Sequence, residues 1–267
     1  MHFDPCEAFG VIFGDPRLAR CVREGGAAHP SQLRKLSCYQ AGIRHLDGIE
    51  ILSDLEELDL HFNEVQNGAP LAKLRKLKEL HLGLNLCPDL RFLACMTALQ
   101  SLTLFDNDIE DVTPLKNLRR MRILHIRINQ IDDISPLASL TDLREISISS
   151  NYIDDIWPLA GCAKLEVLNM YKNDVTDLSV VRNMPSLKEA YIGDNPIRDL
   201  SPLFDHKDLI EIKFEGIPAP DAHKEHLLKV VAYNRYQKGL KPLNTLDPQK
   251  AAVRAASLVK PAPKKLR

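Results

Sequence analysis

The sequence has no long apolar run. Its apolar stretches are short and interrupted by charged residues, whereas a membrane-spanning helix needs about 20 consecutive apolar residues. The N-terminus also lacks the basic segment followed by an apolar one that a secretory signal peptide requires. These two absences predict a chain without a membrane span and without a cleavable signal.

The sequence also lacks the short motifs of common enzymes. GxSxG, HExxH, a glycine-rich phosphate loop and a Cys/His nucleophile pattern are all absent. The six cysteines are irregularly spaced and form no CxxC pair, which disfavours a zinc site and a thioredoxin-like redox motif. We therefore expect a protein that is not an enzyme, needs no cofactor and resides in reducing, cytoplasmic surroundings.

Charge is nearly balanced over the whole chain but unevenly distributed along it. The formal net charge is −1 at pH 7. Residues 241–267 contain seven Lys and Arg against one Asp, a net charge of +6, so that residues 1–240 carry −7. The folded part is expected to be mildly acidic. This disfavours nucleic acid as a partner, because an acidic surface repels phosphates.

The sequence is dominated by a repeat. Apolar residues recur eight, five and three positions before a regularly spaced asparagine, in the pattern LxxLxLxxN with a 22-residue period. The same frame continues one repeat upstream, with Ala41 in the asparagine position, and one repeat downstream, with Ile217 there. About nine coils are therefore predicted over residues 31–220. The repeating asparagines are Asn63, Asn85, Asn107, Asn129, Asn151, Asn173 and Asn195.

Each repeat predicts a strand followed by a turn. Alternating apolar residues predict one short strand in each coil, and stacked coils place these strands in one parallel sheet at a spacing of about 4.8 Å. The asparagine lies where the chain leaves the strand, so its amide can satisfy buried backbone groups. Thr113, Ser135 and Ser201 each precede a proline. We expect their hydroxyls to cap short 3₁₀ turns on the convex side.

These repeats resemble the 22-residue class of leucine-rich repeats found in bacterial internalins and in the leucine-rich-repeat regulatory subunit of protein phosphatase 1. The resemblance rests on LxxLxLxxN and on the NxIxDIxPLxxL segments that follow it, as at residues 129–140. It implies an α/β repeat fold, a curved solenoid with a parallel concave sheet, no catalysis, and protein binding on the concave face. Residues 63–71 depart from the pattern, so the pattern does not define the convex segment of the second repeat.

The two ends of the array predict helical caps. Residues 1–30 contain Asp15 and a proline before an amphipathic segment that ends at two glycines, which predicts one capped helix. Residues 221–247 predict a second helix and a segment that resembles the C-terminal cap of eukaryotic intracellular leucine-rich-repeat proteins. Residues 248–267 are rich in Ala, Lys and Pro. They predict a basic tail that is frayed or disordered.

Function is expected on the side chains that the repeat leaves free. These lie six, four and two positions before each asparagine and point away from the core. The first row is mostly acidic, which favours a basic partner, and the other two contain aromatic, histidine and arginine residues, the usual anchors of protein interfaces. The alternative is that they only cover a solvated face. The predicted partner-binding residues are Tyr39, His61, His81, Phe105, His125, Arg127, Tyr171 and Tyr191.

Two patterns suggest metal ions, and we favour a different interpretation of each. Asp59, His61 and His81 fall on adjacent predicted strands, so a metal-dependent activity there is a less favoured alternative function. An aspartate also recurs every 22 residues from Asp89 to Asp199, as stacked calcium ligands would. An Asx-type turn, in which the carboxylate accepts backbone hydrogen bonds, is the favoured interpretation. No metal site is therefore predicted.

The cysteines predict packing rather than chemistry. Cys38, Cys87 and Cys162 occupy positions that Leu or Ile fill in other repeats, which predicts small core residues. A disulfide between Cys6 and Cys21 within the N-terminal cap is expected only if the protein is secreted.

The sequence thus predicts a monomeric, non-enzymatic protein-binding module that acts as a regulator or scaffold. A bacterial effector and a toxin-inhibiting immunity protein are alternatives that the residues do not separate, and a purely structural spacer is another. Trp157 stands where neighbouring repeats have Ser or Thr before Pro. We expect its indole to pack over an adjacent coil, with a second contact surface on the convex side as the alternative.

Overall fold

The computed structural model describes residues 7–243, which begin with a small hairpin and a helix. Strands β1 (Glu7–Ala8) and β2 (Val11–Ile12) pair antiparallel. Helix α1 (Pro16–Glu24) follows, with Asp15 at its N-cap as the sequence predicted. The hairpin was not predicted, because two-residue strands are too short to show a period-two pattern.

Nine parallel strands form one sheet in the order in which they occur along the chain. Each strand pairs with the next in the register i to i+22, as Leu58 pairs with Leu80. This register places every repeat position in a straight row across the sheet, and the predicted parallel sheet is confirmed. The strands are β3 (Lys35–Ser37), β4 (Glu57–Asp59), β5 (Glu79–His81), β6 (Ser101–Thr103), β7 (Ile123–His125), β8 (Glu145–Ser147), β9 (Val167–Asn169), β10 (Glu189–Tyr191) and β11 (Glu211–Lys213).

The core lies between the sheet and the convex side. Its apolar repeat positions are buried in every coil except at Phe214 of the last coil, which is partly buried, and Leu102 and Leu104 are fully buried. Burial of such a side chain contributes about 1.5–3 kcal/mol, and coils that contact only their neighbours add these contributions along the array. Cys87 and Cys162 are buried here as free thiols, as predicted. Burial raises the pKa of each to about 11, so both thiols stay protonated at neutral pH.

The asparagine row joins neighbouring coils. The side-chain NH2 of Asn129 donates to the carbonyls of Ile126 (2.9 Å) in its own coil and Leu104 (3.1 Å) in the coil before. Its Oδ1 accepts the N–H of Ile109 (3.0 Å). The other six asparagines of the row make the same three contacts. The predicted architectural role of the asparagines is confirmed.

Short 3₁₀ turns form the convex side, as predicted. Six of the nine turns given below have a proline at their first or second residue, which fixes φ there. The turns are Pro30–Gln32, Ile49–Ile51, Ala69–Lys73, Arg91–Cys95, Thr113–Asn117, Ser135–Ser139, Trp157–Gly161, Ser179–Asn183 and Ser201–Leu203.

The capping group of these turns differs from the prediction. Thr113 is the first residue of its turn, and Oδ1 of Asp111 accepts its N–H at 2.7 Å. The hydroxyls of Ser135 and Ser201 donate to the preceding aspartates and do not cap the backbone. Hydrogen bonds from the side chain and the N–H of Thr113 lower the pKa of Asp111. The aspartate row therefore forms Asx-type turns, as favoured over a calcium site, and the predicted hydroxyl caps are wrong.

The second coil keeps its convex turn although its sequence departs from the pattern. Gly68 occupies the position of the missing apolar residue, and the turn Ala69–Lys73 follows it. A Cβ on Gly68 would lie 2.3 Å from the Phe92 ring. Phe92 of the next convex segment is buried, and its ring fills the space that the second coil leaves open.

A disulfide joins helix α1 to the first coil and corrects two predictions. The bond links Cys21 to Cys38, whose Cα atoms are 5.8 Å apart. Cys38 is buried as predicted, but its sulfur is bonded rather than a free thiol in the core. Cys21 therefore does not pair with Cys6, which lies outside the described residues.

Helix α2 (Asp221–Gln237) covers the last coil. The NH2 group of Asn234 donates to the carbonyls of His206 (2.8 Å) and Leu209 (2.9 Å). Both carbonyls belong to the segment that leads into β11, so Asn234 fastens the helix to the open end of the array. Residues 244–267, which include the predicted basic tail, lie outside the described range, and the predicted domain boundaries stay predictions.

Candidate protein-binding face

The concave face is the solvent-facing side of the nine-stranded sheet. The first and third residues of each strand point to it, and a third row follows two positions later along the chain. Because the register is i to i+22, side chains of one row lie on adjacent strands about 4.8 Å apart. Residues that are far apart in sequence therefore become neighbours on a rigid surface.

Four of the eight predicted binding residues contact each other. The rings of His61 and His81 stack with centroids 5.1 Å apart, and the ring of Phe105 lies 5.4 Å from that of His61. The guanidinium carbon of Arg127 lies 4.4 Å from the centroid of Phe105, a favourable cation–π distance. We refer to His61, His81, Phe105 and Arg127 as the aromatic cluster.

A glycine allows this cluster to form. Phe105 reaches across the neighbouring coil to His61, and Gly83 lies between them in the same row. A Cβ on Gly83 would lie 2.4 Å from the Phe105 ring, so the ring occupies the space that any other side chain would fill. The cluster therefore spans four coils without a gap.

Hydrogen bonds fix the two histidines. Nδ1 of His61 lies 3.0 Å from Oδ1 of Asp59, whose other oxygen accepts the Ser37 hydroxyl at 3.1 Å. Nδ1 of His81 lies 3.2 Å from the Thr103 hydroxyl. Within residues 7–243, the buried Nε2 of His61 has no hydrogen-bond partner. Burial lowers the pKa of His61, against the raising effect of the Asp59 carboxylate, so His61 favours its neutral form.

Tyr39 and His125 lie beside the cluster with partners of their own. Tyr39 is 53% exposed, and its ring contacts Phe62 at a centroid distance of 5.1 Å. Nε2 of His125 lies 2.8 Å from the Glu145 carboxylate. Both side chains are accessible on the same face. The contact of His125 with Glu145 joins the row four positions before the asparagines to the acidic row six positions before them.

Tyr171 and Tyr191 form a separate group toward the C-terminal end of the sheet. The Tyr171 hydroxyl donates to the Asp194 carboxylate, and that hydrogen bond raises the pKa of Tyr171. The Tyr191 hydroxyl donates to Glu189 at 2.8 Å, and the ammonium of Lys213 lies 5.3 Å from its ring centroid. Burial and this carboxylate raise the pKa of Tyr191. The structure therefore divides the eight predicted residues between two ends of the face.

The acidic row, which consists of Glu57, Glu79, Glu145, Glu189 and Glu211, keeps its negative charge in the folded chain. Glu79 is exposed and has no ion pair or hydrogen-bonded side-chain partner in the part of the chain that the structure describes. The other four glutamates have nearby partners, which are Lys35 (2.6 Å) for Glu57, His125 for Glu145, Tyr191 for Glu189 and Arg235 (3.5 Å) for Glu211. Lys35 and Arg235 offset two of the five carboxylates, so the row remains anionic.

The geometry does not favour the alternative metal site. Imidazole lone pairs lie in the ring plane, and the stacked rings of His61 and His81 are 5.1 Å apart at an interplanar angle of 23°. A zinc–nitrogen bond is about 2.0–2.1 Å long, so one ion does not lie in both ring planes. Among residues 7–243, no three His, Cys, Asp or Glu side chains are arranged to hold a metal ion.

Sequence reasoning missed the row that directly precedes the asparagines. Phe62 and Ile128 are 43% and 44% exposed there, and Leu84 is partly exposed between them. Leu86 adds an exposed apolar side chain one position after its asparagine. The signal was available, because most other coils have a polar residue or glycine immediately before the asparagine position.

Trp157 does not pack as predicted. It is 54% exposed on the convex side, so the expectation of an indole covered by an adjacent coil is wrong. As for membranes, no helix within the described range is both long and apolar enough to cross one.

Internalin C2 from Listeria monocytogenes has a similar sequence and structure. It is 33% identical to this chain, with a TM-score of 0.74, and the match covers 76% of this chain and 94% of internalin C2. This chain belongs to the leucine-rich-repeat family. Among leucine-rich-repeat proteins, it resembles the bacterial internalins.

Further comparisons agree with this assignment. The family model described as leucine-rich repeats (2 copies) matches residues 97–139 and 119–161. The structure of internalin F from Listeria monocytogenes is 27% identical, with a TM-score of 0.52, and the match covers 81% of this leucine-rich-repeat protein and 80% of internalin F. No curated protein matches the sequence.

A plant receptor shares the fold alone. The leucine-rich-repeat ectodomain of the receptor kinase GASSHO1/SCHENGEN3 from Arabidopsis thaliana was solved in complex with CASPARIAN STRIP INTEGRITY FACTOR 2. It is 17% identical, with a TM-score of 0.55, over 76% of this chain and 29% of the ectodomain.

Proposed function

We propose that this chain is a non-enzymatic protein-binding module whose concave face holds a partner protein. One observation carries the proposal: Phe105 lies over Gly83 and joins His61 to Arg127 in one accessible cluster. Proteins with leucine-rich repeats generally serve as interaction scaffolds, and aromatic and arginine side chains are the usual energetic anchors of an interface.

The partner carries a basic surface. Glu57 and Glu79 lie in the same coils as His61 and His81 of the aromatic cluster, and Glu79 is exposed without an ion-pair partner in the described range. Electrostatic complementarity of this kind speeds association and selects partners more than it adds affinity. Tyr171 and Tyr191 provide a second contact region at the other end of the same face.

The biological role that fits this face is regulation or scaffolding by a monomer. A bacterial effector and a toxin-inhibiting immunity protein would use the same surface, and the identity of the captured partner separates these roles. The sequence predicted a cytoplasmic protein. We instead propose an oxidising compartment, because disulfides such as Cys21–Cys38 persist where thiols are not kept reduced.

The binding experiment is affinity capture followed by mass spectrometry, using the wild type beside the triple variant Phe105→Ala, Arg127→Glu and Tyr171→Ala. None of these side chains faces the core, so the triple variant should unfold at the wild-type temperature. We expect at least one protein recovered by the wild type to be lost by the variant. A matched control is the convex variant Trp157→Ala, whose side chain is 54% exposed.

The outcomes are distinct. A partner that the triple variant loses and the convex variant keeps supports the concave face. A partner that only the convex variant loses overturns it and moves the interface to the side that carries Trp157. Equal recovery by all three proteins overturns both surfaces.

A further inference from the structure

A row of left-handed backbone runs along the edge where the strands end. In every coil the residue immediately before the asparagine position has a positive φ, between 48° and 75°. Glycine, asparagine and aspartate accept this conformation most readily, so the fold itself favours such residues there. The row is Gln40, Phe62, Leu84, Asp106, Ile128, Ser150, Lys172, Asp194 and Gly216.

Phe62, Leu84 and Ile128 oppose that preference. A bulky or β-branched side chain is unfavourable at positive φ, and all three residues have φ of 55° or 56°. Their side chains gain little from burial in return, because none of them is buried in the core. Phe62 contacts only the exposed ring of Tyr39 among the aromatic residues described, and backbone strain that core burial does not offset is found most often at ligand-contacting sites.

Two of these residues line a groove. A shallow cavity of about 430 Å³ lies along this edge, and Phe62, Leu84 and Leu86 form its apolar part. Apolar side chains scattered singly on a surface are normal, whereas a contiguous set with a polar rim is typical of a binding site. The edge groove is defined by Gln40, Phe62, Asn63, Glu64, Leu84, Asn85, Leu86 and Asp106.

The rim of the edge groove is acidic. Glu64 and Asp106 are its charged lining residues, and the lining contains no Lys or Arg. Arg44 pairs with Glu64 at 2.8 Å from outside the lining. Asp106 is exposed, and within residues 7–243 no cation pairs with it. A ligand seated in the groove would therefore bury apolar surface beside an unneutralised carboxylate.

We propose that the edge groove binds a segment of the partner protein that inserts one apolar side chain next to a Lys or Arg. The apolar side chain packs between Phe62, Leu84 and Leu86, and the cation faces Asp106. This inference deepens the proposed function and rests on it. Phe62 of the groove directly follows His61 of the aromatic cluster in the chain, so one partner contacts the concave face and the edge groove together.

The test uses a phage-displayed library of random 12-residue peptides as the probe. Selection is carried out on the wild-type chain and, in parallel, on the double variant Phe62→Asn and Leu84→Asn, at two residues of the edge groove. Both substitutions place a residue that tolerates positive φ, so the variant is expected to unfold at or above the wild-type temperature. The matched control is Leu240→Asn, which removes an exposed leucine (41%) at the other end of the molecule.

Support is a set of clones that bind the wild type and Leu240→Asn, bind the double variant at least tenfold more weakly, and share a large apolar residue beside Lys or Arg. Addition of Asp106→Asn should weaken the same clones. Two results overturn the proposal: no clone distinguishes the wild type from the double variant, or the distinguishing clones are acidic or lack an apolar residue.

Self-association is a separate outcome. Sedimentation of the wild type at increasing concentration measures it, and a dimer that the double variant abolishes assigns the groove to a second copy of this chain and overturns a partner segment. The two proposals also fail separately. Clones specific for the edge groove support the groove proposal even if capture on the concave face fails. A captured partner that binds the double variant as strongly as the wild type overturns the groove proposal and leaves the concave-face proposal standing.

Discussion

At the scale of single residues, each repeat side chain must be compatible in size and hydrogen bonding with its equivalents 22 positions before and after it in the sequence. The asparagine row does so with the same three hydrogen bonds in seven coils, as at Asn129. Each asparagine side chain forms hydrogen bonds with backbone N–H and C=O groups that would otherwise be buried without a partner. The residue before it accepts a left-handed conformation so that the amide reaches the interior.

Asn129→Ala should lower the free energy of unfolding by about 3 kcal/mol, because it leaves buried carbonyl and N–H groups of two coils without partners. Urea unfolding followed by circular dichroism measures the change. The control is Asn183→Ala, at an exposed asparagine of the convex side, which should change stability little. Equal effects of the two substitutions would show that the hydrogen bonds of the row contribute nothing particular.

Ile128→Asn should raise the free energy of unfolding by about 1 kcal/mol, since asparagine tolerates positive φ far better than a β-branched residue. Thermal unfolding provides the measurement. Asp106→Asn, at the same position of the preceding coil, is the control and should have little effect, because aspartate already suits this backbone. A loss of stability in Ile128→Asn would mean that the isoleucine packs to the benefit of the fold.

At the scale of elements, the two ends of the array are closed by different means. The carboxylate of Asp15 caps helix α1 at the N–H of Arg17 (2.8 Å) and also accepts the N–H of Arg44 (2.7 Å) in the first coil. The disulfide adds a covalent link between the same two elements. At the other end, the side-chain amide of Asn234 in helix α2 donates to the carbonyls of His206 and Leu209 in the last coil.

Reduction of the Cys21–Cys38 bond should destabilise the N-terminal end by about 3 kcal/mol, the value expected for a loop of this length. Thermal unfolding with and without a reductant tests it, together with counting of free thiols by mass spectrometry after alkylation. The double variant Cys21→Ser and Cys38→Ser should match the reduced protein, and Cys95→Ser, at an exposed free cysteine, should behave as the wild type. If reductant has no effect on any of these proteins, the bond does not contribute to stability.

At the scale of the whole molecule, charge is organised by surface. The concave face has an acidic row. At the edge of the sheet where the strands begin, ion pairs link neighbouring coils, as Glu166 pairs with both Arg144 and Lys188. Such exposed pairs contribute little to stability one at a time. Their arrangement leaves the acidic row of the concave face without most of these cations, which is the property on which the proposed selection of a basic partner rests.

Stability should fall as the pH drops below about 6.5, the ordinary pKa of histidine. Burial lowers the pKa of both His61 and His206 in the folded chain. The unfolded chain therefore takes up protons first, and stability that is fully present above the ordinary pKa is lost as the pH falls toward the folded value. Urea unfolding at pH 7.5 and 5.5 measures the loss.

His206→Gln should reduce that difference between the two pH values, whereas the exposed His45→Gln should leave it unchanged. A difference that persists in full after both buried histidines are replaced would assign it to other groups. The capping aspartates titrate in a separate, more acidic range, because hydrogen bonding lowers the pKa of Asp111 and Asp177 below the ordinary value of 3.8.

The sequence by itself determined the coil. A strict 22-residue period repeats both the apolar positions and Asn129 with its equivalents, so strand, turn and register follow from local spacing alone. The same spacing identified the Asx turns and the residues that face solvent. Periodicity is sufficient here because each coil contacts only its neighbours, so that a pattern in one dimension specifies the packing in three.

Only the tertiary structure determined the contacts made by side chains outside the repeating apolar and asparagine positions. The contact of Phe105 with His61 requires Gly83 between them, and the pairing of Cys21 with Cys38 depends on how helix α1 docks on the first coil. The edge groove became visible only with the positive φ of Leu84 and its neighbours. These features depend on side chains that differ from one coil to the next, and the repeat period does not specify them.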